Sequence, residues 1–227
     1  MEKLVYLLFH EAAHDGDRLR EALCSEAAPA LRAAGATDIR VCVNDGAVAG
    51  SSLMTRSDPP IRAFVTFWLG CIDDRGPCED ALAAQAPRLA GYLVTESSVM
   101  VPPRTIGART EGMNQVTCIA KRADLDDDEF RRIWHTDHRR VAIETQSTFG
   151  YTRNVIQHAL TPDAPDCWAA IVEETFPIGA LHDPKVFYDA ADDAELERNM
   201  KSMMESCNRF LDLEPLEFSH MSEYPLG

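Results

Sequence analysis

The chain has 227 residues, with 37 acidic against 22 basic side chains and a formal net charge of −15. Such a surface repels phosphate backbones and anionic bilayers, so the composition argues against nucleic acid or a lipid surface as partner. At 45% hydrophobic the chain can build one large core or two small ones, and no stretch approaches the ~20 apolar residues of a spanning helix.

Seven cysteines, an odd number without any CxxC spacing, suit small buried hydrophobes in a reducing compartment. The apolar run after Met1 is too short for a signal segment and is followed by charge, which predicts a cytoplasmic protein.

In chain order, Leu4–Phe9 is predicted as a strand and Asp17–Ala34 as a helix stopped by Gly35. Ile39–Val43 is the second strand, and a loop rich in Gly, Ser, Asp and Pro covers 44–60. Ile61–Leu69 is a continuous apolar run, hence a buried strand. Pro77–Leu89 is a helix with proline near its start, and Tyr92–Val101 is a strand. Pro102-Pro103 through Thr110 is the natural linker. The order then repeats. Gly112–Ala120 is a strand, and Asp126–Thr145 is a helix opened by four acidic residues. Tyr151–His158 is a strand, Thr161–Asp166 a turn and Trp168–Thr175 a strand. Asp193–Leu211 is a helix with a methionine stripe, and Leu213–Met221 is the last strand.

Each half reads βαββαβ. The fold class is therefore α+β: two tandem ferredoxin-like units, residues 1–103 and 111–227, forming an intramolecular pseudo-dimeric α+β barrel. Exposed strand edges in such a fold suggest a homodimer.

One segment mixes burial with proton chemistry: Phe130-Arg-Arg-Ile-Trp134-His135-Thr-Asp137-His138. On a regular helix Phe130, Ile133, Trp134, Asp137 and His138 share one face. At the matching positions the first half carries Leu23 and Ala27 for Trp134 and His138. The fold thus does not require Trp and His there, and the first half reads as structural. His138 is weighed as a core histidine against an acid/base, and the comparison favours the second. Asp137 is placed at the pocket edge. His135 and His138 have i, i+3 spacing, but His135 lies toward the arginine side and reads as solvated, so no metal site is expected. His10, His158 and His220 read as strand-end residues. Arg104, Arg109 and Arg153 read as surface arginines, with an acidic substrate group as the alternative. No phosphate loop, GxSxG elbow or cysteine-nucleophile motif is present, so no organic cofactor is expected.

The F-x3-W-x3-H helix of Phe130, Trp134 and His138 follows the strand Met113–Ala120 and precedes Gly150-Tyr151-x2-Asn154. In these features the chain resembles the EthD-like family of the dimeric α+β barrel superfamily, over about residues 112–160. The resemblance implies a pocket between one sheet and its helices, lined by Phe130, Trp134, His138, Tyr151 and Asn154. Strand alternation puts Tyr151 and Asn154 on opposite faces unless a bulge intervenes. The implied function is proton-transfer chemistry by an organic-cofactor-free enzyme (lyase, dehydratase, cyclase or isomerase) on a small hydrophobic oxygenated compound. In it His138 and Tyr151 are catalytic, and Phe130, Trp134 and Asn154 bind substrate. The alternatives are a cofactor-free monooxygenase on a phenolic substrate and a non-catalytic ligand-binding accessory protein.

Overall fold

The computed structural model describes residues 1–50 and 54–227. Eight strands, β1 (Glu2–Phe9), β2 (Thr37–Val43), β3 (Ile61–Leu69), β4 (Arg88–Met100), β5 (Met113–Lys121), β6 (Gly150–Ala159), β7 (Ala170–Phe176) and β8 (Leu211–Pro225), close into an antiparallel barrel. The strand order is β1-β3-β2-β8-β5-β7-β6-β4, with β4 returning to β1. Each half contributes four consecutive strands, and the halves join at β2–β8 and β4–β6. Closure leaves none of the eight strands with a free edge, so the strand-edge route to a homodimer is absent among the described residues. Among the described residues no helix is long and apolar enough to cross a membrane.

Period-2 alternation sorts the side chains into layers. Val5, Cys42, Phe64, Tyr92, Val116, Ile171 and Met221 belong to one apolar cluster that fills the barrel. Leu4, Tyr6, Leu8, Ile39 and Val65 form a second cluster outside the first half's strands, under α1 (16–33) and α2 (Gly76–Ala83). Ile119, Phe130, Trp134, Tyr151, Val172 and Phe210 form a third outside the second half's strands, under α3 (127–145) and α5 (Asp193–Cys207). The barrel core draws on both halves, so neither half owns its whole interior.

Several element bounds differ from the sequence reading, each for a local reason. The helix expected over 77–89 stops at Ala83, because Pro87 lacks the N–H a continuing helix needs and Leu89 pairs within β4. The helix expected to reach Leu211 stops at Cys207, because Leu211 already pairs with Lys121 of β5. β8 runs on to Pro225, since its second part must also pair with β2 to close the barrel. A 3₁₀ turn at Ile178–Leu181 and a short helix, α4 (Pro184–Phe187), occupy a stretch the sequence left unassigned.

Both long outer helices of the αβ crossovers are interrupted by π-helical turns. In α1 the turn covers Leu23–Ala27; in α3 it covers Ile133–His138. The two fall on the positions paired by the sequence comparison of the halves. A π turn often marks a functional site, but here the half without Trp and His has one too. The turn therefore goes with the fold, and the side chains carried on it decide the chemistry. Asp126 caps α3 by accepting the Glu129 backbone N–H at 2.8 Å, in keeping with its acidic start.

The barrel also holds a buried charge network. Arg40 donates to Glu173 (2.9 Å) and Glu223 (3.2 Å), Arg104 donates to Glu223 (2.6 Å), and Lys3 pairs with Glu96. Three cations face three carboxylates, so this network is neutral overall. Burial alone would raise the Glu173 carboxyl, yet Arg40 and Lys3 hold it down at about 2. Cys42, Glu173 and Glu223 lie close enough to ligate an ion. The Arg40 guanidinium already serves both carboxylates, so this cluster is a salt-bridge centre.

Candidate active site

A cavity of about 250 Å³ lies between the outer face of the second-half sheet and the helices α3 and α5. Its floor comes from strands and its roof from helices. Gln115 on β5, Glu174 on β7 and Tyr151 on β6 are direct cross-strand partners, Gln115 opposite Glu174 and Glu174 opposite Tyr151. They form a polar row, with Thr117 beside Gln115, across a floor whose other residues are Ile119, Val172, Leu211, Leu216 and Phe218. The row extends to His220, which faces Gln115 on β8 and meets its Oε1 at 3.1 Å.

The roof carries Trp134 and His138 from the π turn, and Met203, Cys207 and Phe210 from and beyond α5. Trp134, 1% exposed, donates from Nε1 to the Tyr151 hydroxyl at 3.0 Å. Phe130 and Phe210 pack on the Trp134 ring, with centroids at 5.5 and 6.4 Å. The His138 ring lies against Phe210 at 4.8 Å, and its Nδ1 meets Ser206 Oγ at 3.0 Å. That contact fixes the ring's orientation and leaves Nε2 for the cavity.

The electrostatics of the cavity follow from its apolar walls. Burial pushes the His138 imidazole down to about 4, so the ring is neutral at physiological pH. Burial pushes the Glu174 carboxyl up to about 7. No described residue hydrogen-bonds or ion-pairs with that carboxyl, which leaves it aimed at the cavity with its charge near balance. Burial likewise raises the Tyr151 hydroxyl, followed by the nearby Glu174 charge, so Tyr151 stays protonated. Two titratable groups with pKa values pushed in opposite directions now share one apolar space.

His138, Trp134 and Tyr151 line the cavity together, whereas Phe130 and Asn154 do not. Phe130 stands behind Trp134 as packing. Asn154, 0% exposed, points into the barrel, where its Oδ1 accepts from Lys3 (2.8 Å) and its Nδ2 donates to Glu173 (3.0 Å). No bulge separates it from Tyr151 in the pairing with β7, so alternation keeps the two on opposite faces. Asp137 lies outside the cavity, held by Arg209 at 2.8 Å. His135 is half-buried: its ring packs against Trp134, 4.8 Å between centroids, and its Nε2 is buried, while the ring borders a surface groove. On α5, Met203 faces the cavity while Met200 and Met204 are 42% and 47% exposed, so the methionine stripe divides between the two sides. His10 meets the Gln85 carbonyl at 2.6 Å, far from this cavity.

Sequence reading missed Glu174, along with Gln115, Gln146 and Tyr188, which also line the cavity. A signal for Glu174 was present. Two consecutive glutamates, Glu173 and Glu174, sit in the strand predicted over Trp168–Thr175, and alternation sends one to each face.

A closed eight-stranded barrel carrying a pocket between one sheet face and its helices defines an α+β barrel protein. Solved structures share the fold. An anthrone oxidase-like protein matches with a TM-score of 0.60 at 8% identity, covering 100% of this chain and 94% of that one. A candidate chlorite dismutase matches at 0.51 and 12% identity, covering 97% and 95%. A candidate monooxygenase from Lactobacillus acidophilus NCFM matches at 0.49 and 7% identity, covering 100% and 96%. At these identities the first two likenesses establish the fold and nothing about the reaction. No protein-family model and no curated protein matches the chain, so the EthD-like resemblance rests on the helix and strand motif alone.

Proposed function

We propose that the chain is an enzyme that moves a proton on a small, hydrophobic, oxygenated compound bound in the second-half cavity. The observation that carries this reading is the Glu174 carboxyl, unpartnered in an apolar cavity and raised to about 7. A general base works best with a pKa near the working pH. Glu174 takes a proton from a carbon acid or phenol and returns it elsewhere. Tyr151, a protonated donor held by Trp134, hydrogen-bonds the substrate oxygen on which charge develops. His138 is neutral and oriented by Ser206, so it offers Nε2 as a hydrogen-bonding partner or proton relay. The base role expected of His138 thus passes to Glu174, while His138 keeps its place at the reacting group. Trp134, Phe210, Phe218 and Leu216 bury the flat apolar body of the ligand.

The cavity belongs to the second of two ferredoxin-like units, which we read as a pseudo-dimer with a structural first copy. Lyase, dehydratase, cyclase and isomerase reactions all use the same proton transfer. A second reading, a cofactor-free monooxygenase, uses the same deprotonation and then lets the substrate anion react with oxygen; the anthrone oxidase-like neighbour supports testing it.

Proton abstraction is detectable before the net reaction is known. Incubating a panel of phenols, anthrones and cyclic ketones in D₂O reports it as deuterium entering at carbon. Activated exchange in the wild type that falls by about 10²–10⁴ in Glu174→Gln supports the reading. Exchange unaffected by Glu174→Gln contradicts it, and oxygen uptake separates the two reactions.

A further inference from the structure

Outside the cavity, on the far side of Trp134, lies a group that nothing in the proton-transfer reading uses. Arg153 follows Tyr151 by two residues on β6 and so shares its outer face. It is 7% exposed, and its Nε and Nη1 atoms are buried without any hydrogen-bond acceptor. Its Cζ lies 5.9 Å from the centroids of both the Trp134 and Tyr151 rings. Those ring faces attract the cation but accept none of its in-plane N–H groups.

The other buried arginines find acceptors for their terminal nitrogens, although the Nε of Arg62 also lacks a partner. Arg40 has Glu173 and Glu223, and Arg62 donates to the carbonyls of Ala12 and His14. A buried guanidinium with no counter-charge costs several kcal/mol, and this chain has acidic residues in excess from which to supply one. None comes near. His135, whose ring packs on Trp134, has a buried Nε2 that is also without a partner. Arg139, one turn further along α3, makes no ion pair with any described residue and lines the same surface groove as His135. The one acid in that groove, Glu144, is held by Arg140 at 2.8 Å.

We propose that Arg153, His135 and Arg139 form a binding site for an oxyanion, a carboxylate or phosphate group of a small molecule, between the edge of α3 and strand β6. The planar fork of a guanidinium matches two oxygens of either group, and His135 supplies a third donor from its Nε2 position. The adjoining groove of about 370 Å³ leaves room for the body that carries the anion. Burial, then the charges of Arg153 and Arg131, push the His135 imidazole down to about 4, consistent with an uncompensated positive potential there. The site shares only the Trp134 and Tyr151 rings with the cavity and does not depend on the reaction assigned to it.

The test is thermal unfolding of the purified full chain at pH 7.5, titrated with inorganic phosphate and, separately, with acetate, at constant ionic strength set by sodium chloride. The wild type should show a saturable rise in Tm, about 5–10 °C once the anion reaches a hundredfold excess over Kd. Arg153→Met should abolish that response and raise the anion-free Tm, since it removes an uncompensated buried charge. Arg139→Gln, on the surface, should weaken Kd by about tenfold. A response to acetate alone assigns a carboxylate, and one to phosphate alone a phosphate group. A wild type that ignores both anions, or an identical response in Arg153→Met, overturns the site. So does a response that emerges only in Glu144→Gln, which would make Glu144 the internal partner. Should Arg153→Met not fold, an unchanged response in both Arg139→Gln and His135→Phe overturns it equally.

Discussion

Tyr151 on β6 and Glu174 on β7 are direct cross-strand partners on the outer face of the barrel, and both line the same apolar cavity. One is a hydroxyl held protonated by burial, the other a carboxyl poised near neutrality. Their adjacency places a hydrogen-bond donor and a base side by side on a rigid sheet.

Glu174→Gln keeps the shape of the side chain and removes its charge. Glu174 has a folded pKa of about 7 against an ordinary value of 4.5, so the folded state binds more protons between those limits. Its contribution to stability is therefore full below pH 4.5 and is lost as pH rises through 7. The variant should match the wild type at pH 4.5 and exceed it at pH 8 by about 1–3 kcal/mol. Urea unfolding at the two pH values checks this.

The histidines act in the opposite sense. His135, His138 and His220 are each pushed to about 4 from an ordinary 6.5, chiefly by burial. The unfolded chain then takes up protons first, so stability falls as pH drops from about 6.5 to 4. Proton NMR should place the His138 titration near 4; a midpoint near 6.5 would mean that its ring is open to solvent.

Tyr151→Phe leaves the Trp134 Nε1 donor buried without its acceptor. The expected cost is about 1–3 kcal/mol in chemical denaturation. In a cycle with Trp134→Phe the two changes should couple, because the second removes the donor orphaned by the first. Strict additivity would show that the bond contributes nothing.

Arg40→Met removes the cation shared by Glu173 and Glu223 inside the barrel, leaving only Lys3 near the first and Arg104 on the second. Breaking a buried pair this way should destabilise by about 3–5 kcal/mol. The remaining carboxylates should then shift upward, and part of the loss should return at acid pH. A loss that is the same at every pH would locate the cost in packing.

Much of the strand and helix order could be read from the chain, since 2.0 and 3.6 periodicities are local. The helix carrying Trp134 and His138 was legible for the same reason. The π turn was not, because a single inserted residue leaves the apolar spacing almost intact. Asn154 was drawn to the pocket by resemblance to a family, whereas the alternation of β6 sends it into the barrel. The network of Lys3, Arg40, Glu96, Arg104, Glu173 and Glu223 had no local signature at all. Its members come from both halves and meet only when β2 pairs with β8 and β4 with β6. Glu174 lay in between: its strand was visible, but its role needed the roof of α3 and α5 above it.

The central claim is that the second-half cavity holds a carboxyl poised for proton transfer near neutral pH. Carbon-13 NMR of glutamate-labelled protein, with the Glu174 signal assigned by its loss in Glu174→Gln, measures this directly. The account predicts a titration midpoint of about 7. A midpoint at the ordinary glutamate value near 4.5 would contradict it.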